Sequence, residues 1–367
     1  MNFNNITDWT ITEGAVKQVT DSLGRVIWEK QTPPTPENDY FYVEDITGAA
    51  NTLSIVKGTV QSINVYKSTD QINWSLLGWT DTTPITATIP ANGRLYLKAN
   101  DTWGGAQGGT TITTSGWCNV GGNIMSLLNG DNFYNTTLTH NFCLRGLLQN
   151  EKLISAANLV LPSNTTDSCY FGMFSGCTSL ISAPALPATT LTDYCYYMMF
   201  AGCTSLVNAP VLPATTLADY CYNLMFRGCS SLTTAPTLPA TTLARSCYSG
   251  MFSRCTSLVN GAYMPPSITL AYYCCSNMYY GCSSMETAPT LFAHTLTPYC
   301  YENMFYGCYA LNHILIYATD ISATDCLKNW LSYVSATGRF DNFANPAPTY
   351  PANSPSGIPT GWTEHTS

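Results

Sequence analysis

From about residue 143 onward, apolar residues return on a fixed beat. Cysteines fall at 143, 169, 195, 221, 247, 274, 300 and 326, spaced 26 residues apart with a single 27. Six of them have a second cysteine eight residues on: Cys177, Cys203, Cys229, Cys255, Cys282 and Cys308. The outer units carry Glu151 and Val334 at that place. Residues 195–213 read CYYMMFAGCTSLVNAPVLP and residues 221–239 read CYNLMFRGCSSLTTAPTLP. Self-similarity at such a period marks a stacked repeat. One unit cannot bury its own apolar face, and its neighbours bury it instead.

The letters of a unit predict its course. The segment Cys-Tyr-x-x-Met-Phe-x-Gly-Cys reads as a short helix or turn-rich stretch stopped by Gly202, Gly228 or Gly307. The segment Ser-Leu-x-x-Ala-Pro-x-Leu-Pro reads as a short extended run, because proline donates no N–H to a ladder. Ala-Thr-Thr-Leu returns the chain to the next unit. Parallel strands stack about 4.8 Å apart, so about eight coils predict a rod of roughly 40 Å. Leu180, Leu206, Leu232, Leu258 and Leu311 are expected to form one internal ladder. Phe174, Phe200, Phe226, Phe252 and Phe305 are expected to form another. Tyr196, Tyr222, Tyr248 and Tyr301 also repeat in register and are expected to be half-buried. The first unit and the last, Asp325 to Val334 (DCLKNWLSYV), read as caps, the last as an amphipathic helix. In it Trp330 and Leu331 stand where Met304 and Phe305 stood one repeat earlier.

The phrase Phe-x-Gly-Cys-x-Ser-Leu with Leu-Pro downstream resembles the BspA-type (Treponema-type) leucine-rich repeats of bacterial surface proteins. Its variant with CYxxMFxGC and APxLPATTL is similar to repeats of Bacteroidales and their phages, over about residues 119–340. The resemblance implies a right-handed solenoid with a parallel sheet on one face, used for binding or adhesion. The Leu-x-x-Leu-x-Leu-x-x-Asn line of eukaryotic leucine-rich repeats is missing, so their ligand positions do not transfer.

Ahead of the repeat the pattern changes to short β-prone runs at a spacing near ten residues. They are Tyr40–Val43, Leu53–Val56, Ile63–Tyr66, Trp74–Leu77, Ile85–Ile89 and Leu95–Lys98, and they suggest a small antiparallel sandwich. Gly14 to Lys30, GAVKQVTDSLGRVIWEK, reads as a β-hairpin. In it Val16 and Val19 face Val26 and Trp28. An isolated hairpin is marginal in water, so this one is expected to dock. The phrase DWTITEG…VTDSLGRVIW resembles N-terminal segments of virion proteins from crAss-like and related gut phages. It implies an anchoring arm built on Trp9, Val16, Val19, Val26 and Trp28. The expected fold is therefore mixed: a parallel-sheet leucine-rich-repeat solenoid of about eight 26-residue coils, preceded by an antiparallel β-sandwich and an N-terminal hairpin arm. Its parts are the docking arm 1–30, the Pro-rich linker 31–38, the sandwich 39–117, the solenoid with caps 118–341 and an irregular Pro-rich tail 342–367.

Composition narrows the function. Charged residues are 10% of 367 and the net charge is -8. A nucleic-acid partner would require a basic face, so none is expected. No run reaches the length of a membrane span. The first ten residues, MNFNNITDWT, do not read as a signal peptide. The cysteines are accordingly expected as small buried hydrophobes with free thiols. The four histidines, His140, His294, His313 and His365, form no HExxH setting, and no Walker loop or G-x-S-x-G elbow occurs. No catalytic residue, metal or cofactor is expected, and the protein is read as no enzyme. Positions that vary between coils, Asn208, Val211, Thr234, Thr237 and Asn260, are small and neutral. With Tyr194, Tyr220 and Tyr299 they form the candidate ligand surface, suited to a weakly charged glycan of a bacterial surface or mucin.

Two functions remain in view. One is a structural and attachment protein of a phage particle, a head or tail fibre-like appendage. It would contact other virion proteins through its arm and assemble as a homo-oligomer, a trimer by analogy with fibres. The other is a bacterial cell-surface adhesin, which predicts disulfides and an anchor.

Overall fold

A computed structural model describes the N-terminal strands 6–12, 15–21 and 26–29 and residues 39–56, 64–78, 84–99, 109–134, 137–351 and 356–366. The chain is rich in strand and has almost no helix among the described residues. The linker 31–38 and the glycine cluster 104–108 lie outside them.

The N-terminal strands β1 (Ile6–Thr12), β2 (Ala15–Asp21) and β3 (Val26–Glu29) form a three-stranded antiparallel sheet in that order. The expected hairpin is its second half, and β1 adds a strand the turn pattern did not announce. Further on come β4 (Tyr42–Asp45), β5 (Asn51–Val56), β6 (Tyr66–Ser68), β7 (Ser75–Leu76), β8 (Ile85–Ile89), β9 (Arg94–Lys98) and β10 (Thr111–Thr114). They divide between two sheets. One has the order β10-β5-β8 and is antiparallel throughout. In the other, β4, β9, β6 and β7 pair antiparallel. The alternation in β5 explains its role: Asn51, Leu53 and Ile55 are buried while Thr52 and Val56 face out.

The second sheet does not stop at residue 117. Strand β11 (Cys118–Asn123) pairs antiparallel with β4 on one side and parallel with β12 (Leu153–Val160) on the other. From β12 the pairing passes to Ser182 as a single parallel bridge. Single bridges then run Asn208–Thr234–Asn260–Thr287–His313. The strands are as short as the prolines require. At the far end they lengthen into β13 (His313–Ile316), β14 (Gly338–Asn342) and β15 (Trp362–Thr366), all parallel. The tail is thus not irregular throughout, because β15 extends the sheet.

The segment expected as a short helix is a ladder of turns. Across residues 168–177 every backbone N–H is used, by two alternating rules. The N–H groups of 168, 170, 172, 174 and 176 donate to carbonyls of the next coil, as Tyr170 does to Cys195 at 3.0 Å. Those of 169, 171, 173, 175 and 177 donate back three residues, as Phe171 does to Ser168 at 3.2 Å. Closing each turn puts every fourth residue at positive φ: Tyr194 (55°), Met198 (52°) and Gly202 (76°) in one coil, Tyr220, Leu224 and Gly228 in the next. A helix spends its N–H groups inside itself, whereas here half of them tie coil to coil. Gly202 therefore does not stop a helix; it is the third left-handed residue of a ladder. The final unit follows the same rule, with Asp325, Asn329 and Tyr333 at positive φ, so it is not a capping helix.

Stacking puts like on like. Phe174, Phe200, Phe226, Phe252, Tyr279 and Phe305 form one column with ring centroids 5.4–5.7 Å apart and nearly parallel planes. Tyr170, Tyr196, Tyr222 and Tyr248 form another. These tyrosines are fully buried rather than half-buried, because the turn ladder directs their column into the coil. All sixteen cysteines are buried free thiols. The thiols of Cys203, Cys229 and Cys255 each donate to the carbonyl of the phenylalanine in the preceding coil, at 3.1–3.2 Å. A small residue with a weak S–H donor fits that corner, where a larger side chain would not. The repeated aromatic and cysteine stacking is compatible with a repeat solenoid. One buried apolar cluster runs from Phe41 to Trp362, shared by the N-terminal sheets and the repeat.

Candidate functional site

The variable positions form the outer surface of the bridge row. Asn208, Thr234 and Asn260 are consecutive members of that row, and all three are exposed. Val211, 75% exposed, and Thr237 stand three residues further along their coils. Ile181, Val207 and Val259 are exposed beside them, so the face is a neutral strip of Asn, Thr and aliphatic side chains. No formal charge lies among these eight positions.

The tyrosines occupy a different segment of the coil, the start of the turn ladder. Tyr194 and Tyr220 stack at 4.6 Å with planes 5° apart, and Tyr273 and Tyr299 stack at 4.5 Å and 16°. Arg245 lies between the first pair and Tyr272, its guanidinium 5.7 Å from the Tyr220 ring and 5.6 Å from that of Tyr272, which meets Tyr273 and Tyr299 edge-on. The sequence singled out Tyr194, Tyr220 and Tyr299 and missed Arg245 and Tyr272. Arg245 occupies the column of Asp193 and Asp219, and that column position was the available signal. Face-to-face stacking covers the ring faces and leaves edges outward, so a sugar would find an open face only at the ends of a stack.

The anchoring residues fall in the N-terminal sheet, where only the register is described. Trp9 pairs with Val19, and Val19 pairs with Trp28. Val16 pairs with Ile11, and Val26 pairs with Thr20. The expected facing of Val16 and Val26 within one hairpin is therefore replaced by pairing on opposite sides of β2.

A cavity of about 300 Å³, which sequence reasoning did not find, lies among Tyr66, Trp74, Lys98, Ala99, Gly130 and Asp131. The Lys98 ammonium lies 2.6 Å from Asp131 Oδ1 and 4.3 Å from the Trp74 ring centre. The Tyr40 hydroxyl donates to the same oxygen at 2.7 Å. These two donors hold the Asp131 carboxyl below the ordinary range against a smaller opposing effect of burial.

Burial disfavours the thiolate, the nucleophilic form, at most of the cysteines. Burial pushes Cys177, Cys221, Cys229 and Cys282 up to about 12, and like-charged neighbours add to the rise at Cys195 and Cys203. Among the described residues, no group of three or more His, Cys, Asp or Glu could hold a metal ion. No helix among them is long and apolar enough to cross a membrane. No family model matches the chain, and neither does any curated protein or solved structure.

Proposed function

We propose that this chain is a non-enzymatic attachment protein of a phage particle. In this reading the repeat is a leucine-rich-repeat solenoid of the BspA type, and residues 39–117 are a sandwich at its base. The N-terminal sheet docks on other virion proteins, and three copies assemble into a head or tail fibre-like appendage. The bridge row is presented to a neutral glycan of the host surface or of mucin. The carrying observation is the backbone ladder between coils. It ties coil to coil in a scaffold whose sulfurs and large aromatics are mostly interior and whose bridge-row side chains from Ser182 to Thr287 are small and uncharged. The sequence resemblance of residues 1–30 to virion proteins supports the location. The sixteen free thiols favour this reading over the surface adhesin, which expects disulfides.

The test is quantitative proteomics of gradient-purified particles together with a deletion of residues 1–30. Stoichiometric peptides in particles, lost on deletion, are the expected result. Peptides confined to the bacterial surface fraction would establish the adhesin instead, and incorporation unaffected by the deletion would remove the anchoring role.

A further inference from the structure

The cavity beside β6 and β9 brings aromatic rings and an ion pair together in one concave site. Its walls combine ring carbon from Tyr66 and Trp74 with an ion pair, over a floor that includes buried Ala99 and Gly130. Trp74 is fixed in place, because its indole N–H donates to the Gln71 carbonyl at 3.1 Å and Tyr40 packs against its ring at 4.7 Å. Tyr40 in turn packs on Phe133 at 4.6 Å, which ties this wall to the core. The polar groups are fixed as well. Lys98 has 14% of its side chain exposed, and it meets a carboxylate that is 67% exposed. The hydrogen bonds to Asp131 from Tyr40 and Lys98 both fall on Oδ1, and Oδ2 takes none among the described residues.

We infer that this cavity is a binding site for a neutral saccharide. A sugar ring has an apolar C–H face and a rim of hydroxyls. Indole and phenol rings match the face, a carboxylate oxygen accepts from hydroxyls, and an ammonium donates to them. The volume lies at the lower end for small-molecule sites, which suits one sugar unit at the end of a chain. Charge decides against the nearest competitors. Among the described residues that line the cavity, the lysine is paired with the carboxylate, so a phosphate or a sugar acid gains no unmatched cation there. A lipid would leave the ion pair buried without water. The site would act on a particle or on a cell, so it stands apart from the virion reading.

The test uses the full chain and a panel of free neutral monosaccharides: glucose, galactose, mannose, fucose, N-acetylglucosamine and N-acetylgalactosamine. Saturation-transfer NMR and calorimetric titration follow wild type, Trp74→Ala, Asp131→Asn and Lys98→Met. Circular dichroism and the thermal midpoint establish that each variant is folded. The expected result is saturable binding of at least one sugar, weakened roughly tenfold or more in Asp131→Asn, which removes a charge-assisted hydrogen bond. Lys98→Met separates sugar from anion recognition. No saturable binding by any sugar would overturn the inference, as would full binding in both Trp74→Ala and Asp131→Asn. Displacement by inorganic phosphate, with loss of phosphate binding in Lys98→Met, would overturn it in favour of an anion site.

Discussion

Tyr222 and Leu232 are neighbours in one coil with opposite energetics. Leu232 is fully buried and carries only carbon into the core. Its truncation to alanine leaves a hole between two ordered coils, which costs about 2–5 kcal/mol. Tyr222 brings a hydroxyl with no hydrogen-bond partner among the described residues, as do Tyr170, Tyr196 and Tyr248. Burial holds that phenol well above its ordinary value. Removing an unsatisfied hydroxyl while keeping the ring costs nothing in packing. Tyr222→Phe is therefore expected to leave stability unchanged or raise it by up to about 1 kcal/mol. Urea denaturation of both variants checks the contrast, and a loss in Tyr222→Phe matching that of Leu232→Ala would refute it. The repeat carries one natural exchange of this kind. At residue 275 cysteine replaces the column tyrosine, and four residues on Tyr279 replaces the column phenylalanine. The Tyr279 hydroxyl accepts from the Ala262 N–H at 2.8 Å, so this tyrosine is satisfied where the others are not.

At the scale of elements, the turn ladder and the C-terminal sheet have different vulnerabilities. The ladder holds large residues such as Tyr194, Met198 and Leu224 at positive φ. Each such residue costs about 1–2 kcal/mol on its own, and the coil-to-coil hydrogen bonds offset that cost. The C-terminal sheet depends on a buried charge. Asp341 on β14 meets His313 at 2.9 Å and Arg339 at 2.6 Å. Burial alone would raise its carboxyl, but the hydrogen bonds from Arg339 and His313 outweigh burial and hold it below its ordinary 3.8. A carboxyl lowered on folding stabilises the native state above its unfolded value. That stabilisation is lost as pH falls from about 4 through the lower folded value. Asp341→Asn is expected to be less stable than wild type at neutral pH, with the gap closing below about pH 4. Denaturation midpoints measured against pH check this, and a gap independent of pH would show that the charge is immaterial.

For the whole molecule the decisive fact is continuity. One sheet runs from β7 through β11 into β12, and one buried cluster joins both regions. Within the repeat each coil touches its neighbours, so stability is close to a sum of coil and interface terms. Excision of residues 221–246, one 26-residue period, keeps every column in register. It is expected to give a folded, shorter protein with a modestly lower denaturation midpoint. Removal of about half that length would bring polar positions into the Phe and Cys columns and unfold the repeat. Circular dichroism and small-angle scattering of the two deletions distinguish these outcomes. Survival of the half-period deletion would show that register does not hold the stack.

The sequence determined the period, the Leu, Phe and Cys columns, the brevity of the strands and the β-rich segment ahead of them. Each depends on the side chain alone, through its size, its apolarity or the missing N–H of proline. Tertiary structure decided the rest, because it depends on partners far away in the chain. The Cys-Tyr-x-x-Met-Phe segment carries spacing that suits a helix. Its N–H groups turned outward only because a coil 25 residues away offered carbonyls to them. Trp362 to Thr366 reads as tail, and it became a strand because β14 presented an open edge. Tyr66, Trp74, Lys98 and Asp131 show no pattern along the chain. Strand pairing brought β6 beside β9, and the turn after α1 (Ser126–Asn129) supplied Asp131. A site built from such distant positions is set by the packing of the sheet.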